Sequence, residues 1–302
     1  MRRVKLFRCD STALRMTKGP PLDRRERLPA YVLMASPALS GRALFLRAQR
    51  DLICPIDMPF DIHYVLFDMD GLLIDSESIY TQVTNKILEP YGEVMTWDIK
   101  AGCMGKPERA AAEHLLGSFP GIALTTEEYL RQRNALQDTL WPTVVLLPGA
   151  EKLVRHLKAH GIPMAVATGS KRRNFELKTG HLGHLFGLFE GVICGDDAAG
   201  AIRGKPAPDV FLVAAREVLG RDVGPNREAS AVSPEQQLER ARGLVFEDAQ
   251  SGMQAGKRAG MKVVWVPDPN LLEVALDGDE RADKVLVSLE DFVPEEWGLP
   301  PY

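Results

Sequence analysis

Short apolar runs alternate with longer amphipathic stretches from Ile62 onward, and this alternation is the clearest pattern in the chain. The short runs are wholly apolar, which is typical of strands that are buried on both faces of a sheet. Between most of them apolar residues recur at helical spacing, as in Glu151–His160 and Asp209–Leu219. The runs of strand length are Tyr64–Phe67, Met164–Ala167, Val192–Cys194, Leu244–Phe246, Val263–Val266 and Val285–Val287. We therefore predict an α/β fold with a doubly wound, mostly parallel sheet.

The long interval between the first two runs has few strand signals. Its helical patterns cover Ile79–Leu88, Glu108–Leu116 and Glu127–Leu140. Thr125 and the residues after it form a helix N-cap signature. We predict a helical domain over 77–147, inserted into a core made of 61–76 and 148–302. The polar interval 220–242 predicts a surface loop with a short helix at its end.

The first 60 residues differ from the rest of the chain. They carry 12 Lys and Arg against 5 Asp and Glu, whereas residues 61–302 carry 25 against 36. Prolines interrupt the apolar pieces, so residues 1–60 are predicted to be an N-terminal extension outside the fold. Three interpretations stay open: a disordered extension, a start codon assigned too far upstream, or an Arg-rich mitochondrial transit peptide. We expect a cytoplasmic protein, with the mitochondrion as the alternative.

Composition and charge exclude several classes of protein. The chain is 45% hydrophobic and 26% charged, as in globular enzymes. No apolar run is long enough for a transmembrane helix, and the four cysteines lack the spacing of a zinc site. The acidic main part of the chain argues against nucleic-acid binding. We expect a small-molecule partner, neither a nucleic acid nor a membrane, and a monomer or weak dimer.

Two aspartates follow the first apolar run, in the order Asp68-Met69-Asp70-Gly71. Ligands bind outside the carboxyl ends of strands in open α/β sheets, and residues two apart point the same way. Asp68 and Asp70 therefore face one site. Two close carboxylates repel each other unless a cation lies between them, and Mg²⁺ prefers such oxygen ligands. Taken alone, the motif is equally compatible with a polar turn that ends a strand.

Three later features favour phosphate chemistry. Thr168 and Gly169 end the second run, where a hydroxyl and exposed backbone N–H groups suit phosphate oxygens. Lys205 lies at a turn before a predicted helix and is placed to neutralise phosphate charge. Glu247 and Asp248 end the fourth run and add two carboxylates at the same sheet edge. Each feature is weak by itself, but their order along the chain is specific.

This order of motifs resembles that of the haloacid dehalogenase superfamily over residues 61–302. The resemblance implies a Rossmann-like core with a C1-type cap. It implies that Asp68 is the nucleophile and forms an aspartyl-phosphate, and that Asp70 is the general acid and base. Mg²⁺ would be held by Asp68, the backbone carbonyl of Asp70 and Asp248, with Glu247 beside it or bound through water. Thr168, Gly169 and Lys205 would bind the phosphoryl group.

Several stretches are most similar to the pseudouridine-5′-phosphatases and the sugar and glycerol phosphatases of this superfamily. They are Phe67–Glu77, Met104–Lys106, Leu147–Leu153, Leu244–Ala249 and Ser288–Pro300. The resemblance implies a Mg²⁺-dependent phosphatase, with pseudouridine 5′-phosphate as the first substrate and glycerol 3-phosphate or a sugar phosphate next. Gly105 and Lys106 would form a cap loop over the leaving group, unless Lys106 is only a solvated helix start. A β-phosphoglucomutase-like isomerase and a non-catalytic module are the alternatives.

Overall fold

The computed structural model describes residues 60–104, 106, 108–197, 202–273 and 278–302. The predictions for residues 1–59 and for Gly105 fall outside these ranges, so the location of the protein stays a prediction. None of the helices within the described ranges is long and apolar enough to cross a bilayer.

Six strands form one sheet in the described part of the chain. The strands are β1 Tyr64–Phe67, β2 Met164–Ala167, β3 Val192–Ile193, β4 Gly243–Glu247, β5 Lys262–Trp265 and β6 Lys284–Val285. Their order is β3-β2-β1-β4-β5-β6, and every neighbouring pair is parallel. The predicted α/β class and parallel sheet are confirmed. β6 ends at Val285, short of the predicted run, and Val287 beyond it is exposed.

The helices cover both faces of this sheet and fill the interval between its first two strands. In the described residues they are α1 Ser76–Leu88, α2 Trp97–Cys103, α3 Glu108–Gly117, α4 Thr126–Leu140, α5 Ala150–Ala159, α6 Arg172–Thr179, α7 Gly183–Phe186, α8 Asp209–Val213, α9 Pro234–Ala241 and α10 Gln250–Arg258. A π-helix at Ala214–Val218 continues α8. Short 3₁₀ turns follow several of the helices.

Local signals account for most helix boundaries. Thr125 caps α4, since its Oγ1 accepts a hydrogen bond from the Glu128 N–H at 3.2 Å. Asp75 caps α1 in the same way, which explains why that helix begins three residues before the apolar pattern does. α2 was not predicted, because a short helix without fully buried residues leaves no periodic apolar pattern.

The core lies on both sides of the sheet. Val65 and Phe67 of β1 belong to one apolar cluster, and Tyr64 and Leu66 belong to the other. This alternation along one strand is expected when helices cover both faces. Helices α1–α4 pack mainly against one another. Their description as a separate domain stays a prediction.

The polar interval 220–242, predicted to be a surface loop with a short helix, is attached to the core through a buried side chain of that helix. Its short helix, α9, is present as predicted. Arg240 of that helix is fully buried, and its guanidinium donates to the carbonyl oxygens of Val223, Pro225 and Arg227. These bonds hold the preceding irregular segment against the core.

Candidate active site

The carboxyl ends of three neighbouring strands bring the predicted residues together. β1 lies between β2 and β4, and the register sets Phe67 beside Val166 on one side and Phe246 on the other. Asp68 therefore emerges level with Glu247, with Thr168 one position further along β2. β1 and β4 also flank the point at which the strand order reverses, where open α/β sheets bind ligands.

Lys205 neutralises two of the strand-end carboxylates. Its Nζ donates to Asp68 Oδ1 and to Glu247 Oε1. Burial opposes the charged form of this lysine, but the two carboxylates raise its pKa above the ordinary value. The Glu247 carboxylate is itself fixed in position, because its Oε2 accepts a hydrogen bond from the Ala249 N–H at 2.9 Å. Gly252 packs against this carboxylate, and a Cβ at that position would overlap it. Each Glu247 oxygen thus already accepts a hydrogen bond, and its predicted part in metal binding stays a prediction.

Asp248 leaves the site short of positive charge. Its carboxylate accepts no hydrogen bond from the described residues, although Asp248 is buried. Burial, together with the neighbouring Glu247 and Asp68, raises its pKa well above the ordinary value. Burial also raises the pKa of Asp68 to about 7, with Lys205 opposing the shift and Glu247 adding to it. One lysine is therefore shared by three buried carboxylates.

The donor set at this edge fits a hard divalent cation. Carboxylate and carbonyl oxygens are the preferred ligands of Mg²⁺, and a cation there would offset both the burial and the repulsion that raise the pKa values of Asp68 and Asp248. Within the described residues, no three His, Cys, Asp or Glu side chains are already gathered as a ligand set. Mg²⁺ does not require one, because it usually keeps several water ligands and binds one or two carboxylates.

Backbone geometry brings the Asp70 turn close to Asp248. Gly71 has φ +75°, the left-handed conformation that glycine adopts without strain. A Cβ at Gly71 would also overlap the Asp248 carboxylate. The predicted turn after Asp70 is therefore present, and its glycine has a second role in making room for a site carboxylate.

The end of β2 supplies polar groups opposite Asp68. Thr168 is buried, its N–H donates to the Ile193 carbonyl, and its Oγ1 accepts the Ser170 N–H at 3.0 Å. Gly169 between them is exposed. All three residues line the same cavity as Asp68 and Lys205. The Thr168 hydroxyl and the exposed Gly169 backbone thus lie at the predicted phosphate position.

Asp70 makes contacts that sequence reasoning did not find. Its Oδ1 accepts from Lys178 Nζ at 2.6 Å, and its Oδ2 accepts from Ser170 Oγ at 2.6 Å. Burial opposes ionisation of Asp70, but Lys178 and then Ser170 lower its pKa below the ordinary value. Two donors therefore fix the orientation of the Asp70 carboxyl group.

A cavity of about 670 Å³ extends from these strand ends to the inserted helices. Such a volume is typical of small-molecule sites. Its wall on the α1–α4 side is partly polar and partly aromatic. It includes Tyr80, Lys100, Tyr129, Arg133, Asn134, Gln137 and Trp141. Among the described residues, the buried Nε2 of Gln137 has no hydrogen-bond partner. Arg173 of α6 binds both carboxylate oxygens of Asp138 in α4 at 2.8 Å and joins the two sides of the cavity.

Comparison with known proteins decides the family. A family model described as haloacid dehalogenase-like hydrolase matches residues 65–266. The chain belongs to this family.

Several relatives of 35% identity or more are named as phosphatases. The chain is 44% identical over 243 residues to "(DL)-glycerol-3-phosphatase 1, mitochondrial" of Arabidopsis thaliana, covering 80% of this chain and 75% of the relative. It is 40% identical over 241 residues to the "Probable pseudouridine-5′-phosphatase" of Drosophila melanogaster, covering 80% and 96%. A HAD family hydrolase from Deinococcus radiodurans R1, solved with bound phosphate and sodium, has 26% identity and a TM-score of 0.60, with 82% and 100% of the two chains covered. The chain is accordingly a haloacid dehalogenase-like phosphatase of small phosphorylated compounds.

The predicted site residues that the structure describes line one cavity. Asp68, Asp70, Thr168, Gly169, Lys205, Glu247 and Asp248 all line the cavity. Lys106 also lines it, and this residue is exposed. Lys178 was missed, although a signal exists: it lies three residues after Phe175 and four before Leu182, where helical spacing favours an apolar residue.

Proposed function

We propose that this protein is a Mg²⁺-dependent phosphomonoester hydrolase that acts through an aspartyl-phosphate on Asp68. The observation that carries the proposal is the arrangement around Asp68. Its buried carboxylate lies at a strand end, bound by Lys205, with Asp70 two residues away and an open cavity in front. Phosphoryl transfer needs mainly such positioning and neutralisation of charge.

Asp68, Asp248 and the backbone carbonyl of Asp70 would hold the metal ion. When bound, Mg²⁺ supplies the positive charge that lets a carboxylate approach a phosphate dianion. Glu247 then serves chiefly to hold Lys205 against Asp68, since its two oxygens bind Lys205 and the Ala249 N–H.

The residues divide the reaction into two steps. Asp68 attacks phosphorus, the bond to the substrate oxygen breaks, and protonated Asp70 gives its proton to the departing oxygen. Water then attacks the aspartyl-phosphate while Asp70 takes a proton from it, which releases phosphate and restores Asp68. Thr168 and Lys205 bind the oxygens of the phosphoryl group in both steps.

The lining of the cavity suits either a phosphorylated polyol or a nucleoside monophosphate as substrate. Its amide and basic groups, Asn134, Gln137 and Arg133, suit hydroxyl groups, and Tyr80 and Trp141 suit a planar base. The names of the two relatives indicate glycerol 3-phosphate and pseudouridine 5′-phosphate as their substrates. In both compounds the leaving group is a primary alcohol with further hydroxyl groups nearby. The aromatic wall favours pseudouridine 5′-phosphate, and the relative of higher identity favours glycerol 3-phosphate.

A phosphate-release assay on the full chain tests the proposal. We expect release from one of these two substrates with Mg²⁺, and none with excess EDTA or with Asp68→Asn. Glucose 1-phosphate is included, with glucose 6-phosphate measured as product. Interconversion without phosphate release would favour the isomerase. No turnover of any phosphomonoester by the wild type would refute the proposed function.

A further inference from the structure

Lys178 is the most fully enclosed charge next to the site. It lies near the end of α6, and no part of its side chain is exposed. Its Nζ donates to Asp70 Oδ1 at 2.6 Å and to Ser170 Oγ at 3.1 Å. The ammonium also lies 4.4 Å from the centre of the Trp141 ring, while the Tyr80 ring is 5.5 Å away.

Burying an ammonium is unfavourable unless the group is paired and its donors are used. Here the aromatic rings stabilise the cation from one side, and Asp70 and Ser170 accept its hydrogen bonds. The arrangement is closed into a ring, because the Ser170 hydroxyl also donates to the second oxygen of Asp70. Lys178 and Ser170 therefore each bind one oxygen of Asp70, and the hydrogen bond between them holds both donors in place.

Lys178 is poorly placed to touch a substrate. Asp70, Ser170, Tyr80 and Trp141 all line the described cavity, whereas Lys178 does not. The ammonium contacts all four of these lining side chains. Any effect of Lys178 on the reaction must therefore pass through one of them, and its shortest contact is with Asp70.

We infer that Lys178 is a positioning residue for the acid and base of this enzyme, with Ser170 as its auxiliary. The pair holds the Asp70 carboxyl in one orientation at the edge of the cavity, so that its proton passes to the leaving oxygen. The inference rests on the proposed function, in which Asp70 protonates that oxygen. It assigns a role to a lysine separate from Lys205, which contacts the nucleophile instead.

If the Lys178–Asp70 ion pair only stabilised the fold, its loss would affect the substrates differently from a loss of positioning. Loss of a structural contact lowers the turnover of all substrates alike. Loss of positioning at Asp70 affects only substrates whose leaving group needs a proton. An alkoxide such as that of glycerol needs one, while 4-nitrophenolate departs without one. The ratio of kcat/KM for the two substrates thus separates the roles, since this quantity ends with the first irreversible step.

The test compares Lys178→Met with wild type on glycerol 3-phosphate and 4-nitrophenyl phosphate. Methionine keeps an unbranched side chain of similar length beside the rings while it removes the charge. We expect kcat/KM to fall by about 100-fold or more for the alkyl phosphate and by less than about fivefold for the aryl phosphate. Lys86→Met, which removes an exposed lysine from α1, is the matched control and should change neither value.

Two further variants keep the test decisive if Lys178→Met folds poorly. Ser170→Ala removes the auxiliary donor, and we expect a smaller change with the same dependence on the leaving group. In an Asp70→Asn background, Lys178→Met should cause no further selective loss, because the residue through which it acts is gone.

The outcomes distinguish this inference from the function on which it rests. Equal losses on both substrates with an active wild type would overturn the positioning role alone, as would additive effects with Asp70→Asn. If the wild type hydrolyses neither substrate nor pseudouridine 5′-phosphate, the proposed function fails, and the positioning role fails with it.

Discussion

Replacing Gly252 with alanine tests whether the position of Lys205 depends on a helix that does not itself supply a catalytic group. Gly252 lies in the first turn of α10 and packs directly on the Glu247 carboxylate. That carboxylate cannot yield easily, because Glu247 is buried and bound by both Lys205 and the Ala249 N–H. An added methyl group would therefore push Glu247 away from its place or force α10 outward.

The expected loss of kcat/KM follows from the overlap between the added Cβ and the Glu247 carboxylate. To restore normal van der Waals contact, the carboxylate must move by about 1 Å or more. Lys205 is held between Glu247 and Asp68, so it would move with its partner or lose one of its two acceptors. A misplacement of about 1 Å in a catalytic group costs roughly 100-fold in rate. We expect Gly252→Ala to lower kcat/KM by about that factor for alkyl and aryl phosphates alike, because Lys205 acts on the phosphoryl group.

The assay is steady-state phosphate release, with thermal unfolding measured on the same preparations. Gly256→Ala is the matched control in the same helix. Its Cβ would press on Val263 in the core at 2.8 Å, away from the site. It should lower the melting temperature and leave kcat/KM nearly unchanged. If Gly252→Ala retains kcat/KM within threefold of wild type, or if both variants lose activity in proportion to stability, this account of Lys205 is wrong.

Three further predictions concern the nucleophile, the metal and the cap. Asp68→Asn should abolish turnover and leave the melting temperature close to that of wild type; activity within tenfold of wild type would exclude the covalent mechanism. Burial raises the pKa of Asp68 to about 7 and raises the pKa of Asp248 in the same direction. Without metal, the stability that protonated Asp68 contributes is therefore lost as pH rises through about 7. The rise in melting temperature with Mg²⁺ relative to EDTA should therefore be larger at about pH 8 than at about pH 5.5; an equal rise at both would contradict it. Lys106→Ala should lower kcat/KM for the native substrate by roughly 5- to 150-fold and spare an aryl phosphate, whereas equal losses would remove Lys106 from substrate selection.

Much of the site was predictable because it depends on one regular feature of the fold. Parallel strands place their carboxyl ends at a common edge, so residues that follow different strands meet there whatever the helices do. Asp68, Thr168 and Asp248 could be assigned to one site for that reason. Lys205 could be added because the order of motifs along the chain resembles that of a known superfamily. The wholly apolar runs likewise predicted the α/β class, since only a sheet covered on both faces needs them.

The partners of these residues were decided by the tertiary structure. From the sequence, Glu247 is predicted only as one more carboxylate at the sheet edge. The fold shows that its carboxylate accepts a hydrogen bond from Lys205. Lys178 and Asp70 are 108 positions apart, and their contact depends on how α6 rotates and packs against the end of β1. Local pattern predicts which helix face is apolar, but a lysine on that face has no visible partner until the helix is packed. Burial then makes the pairing necessary, because an ammonium without water must find its acceptors within the protein.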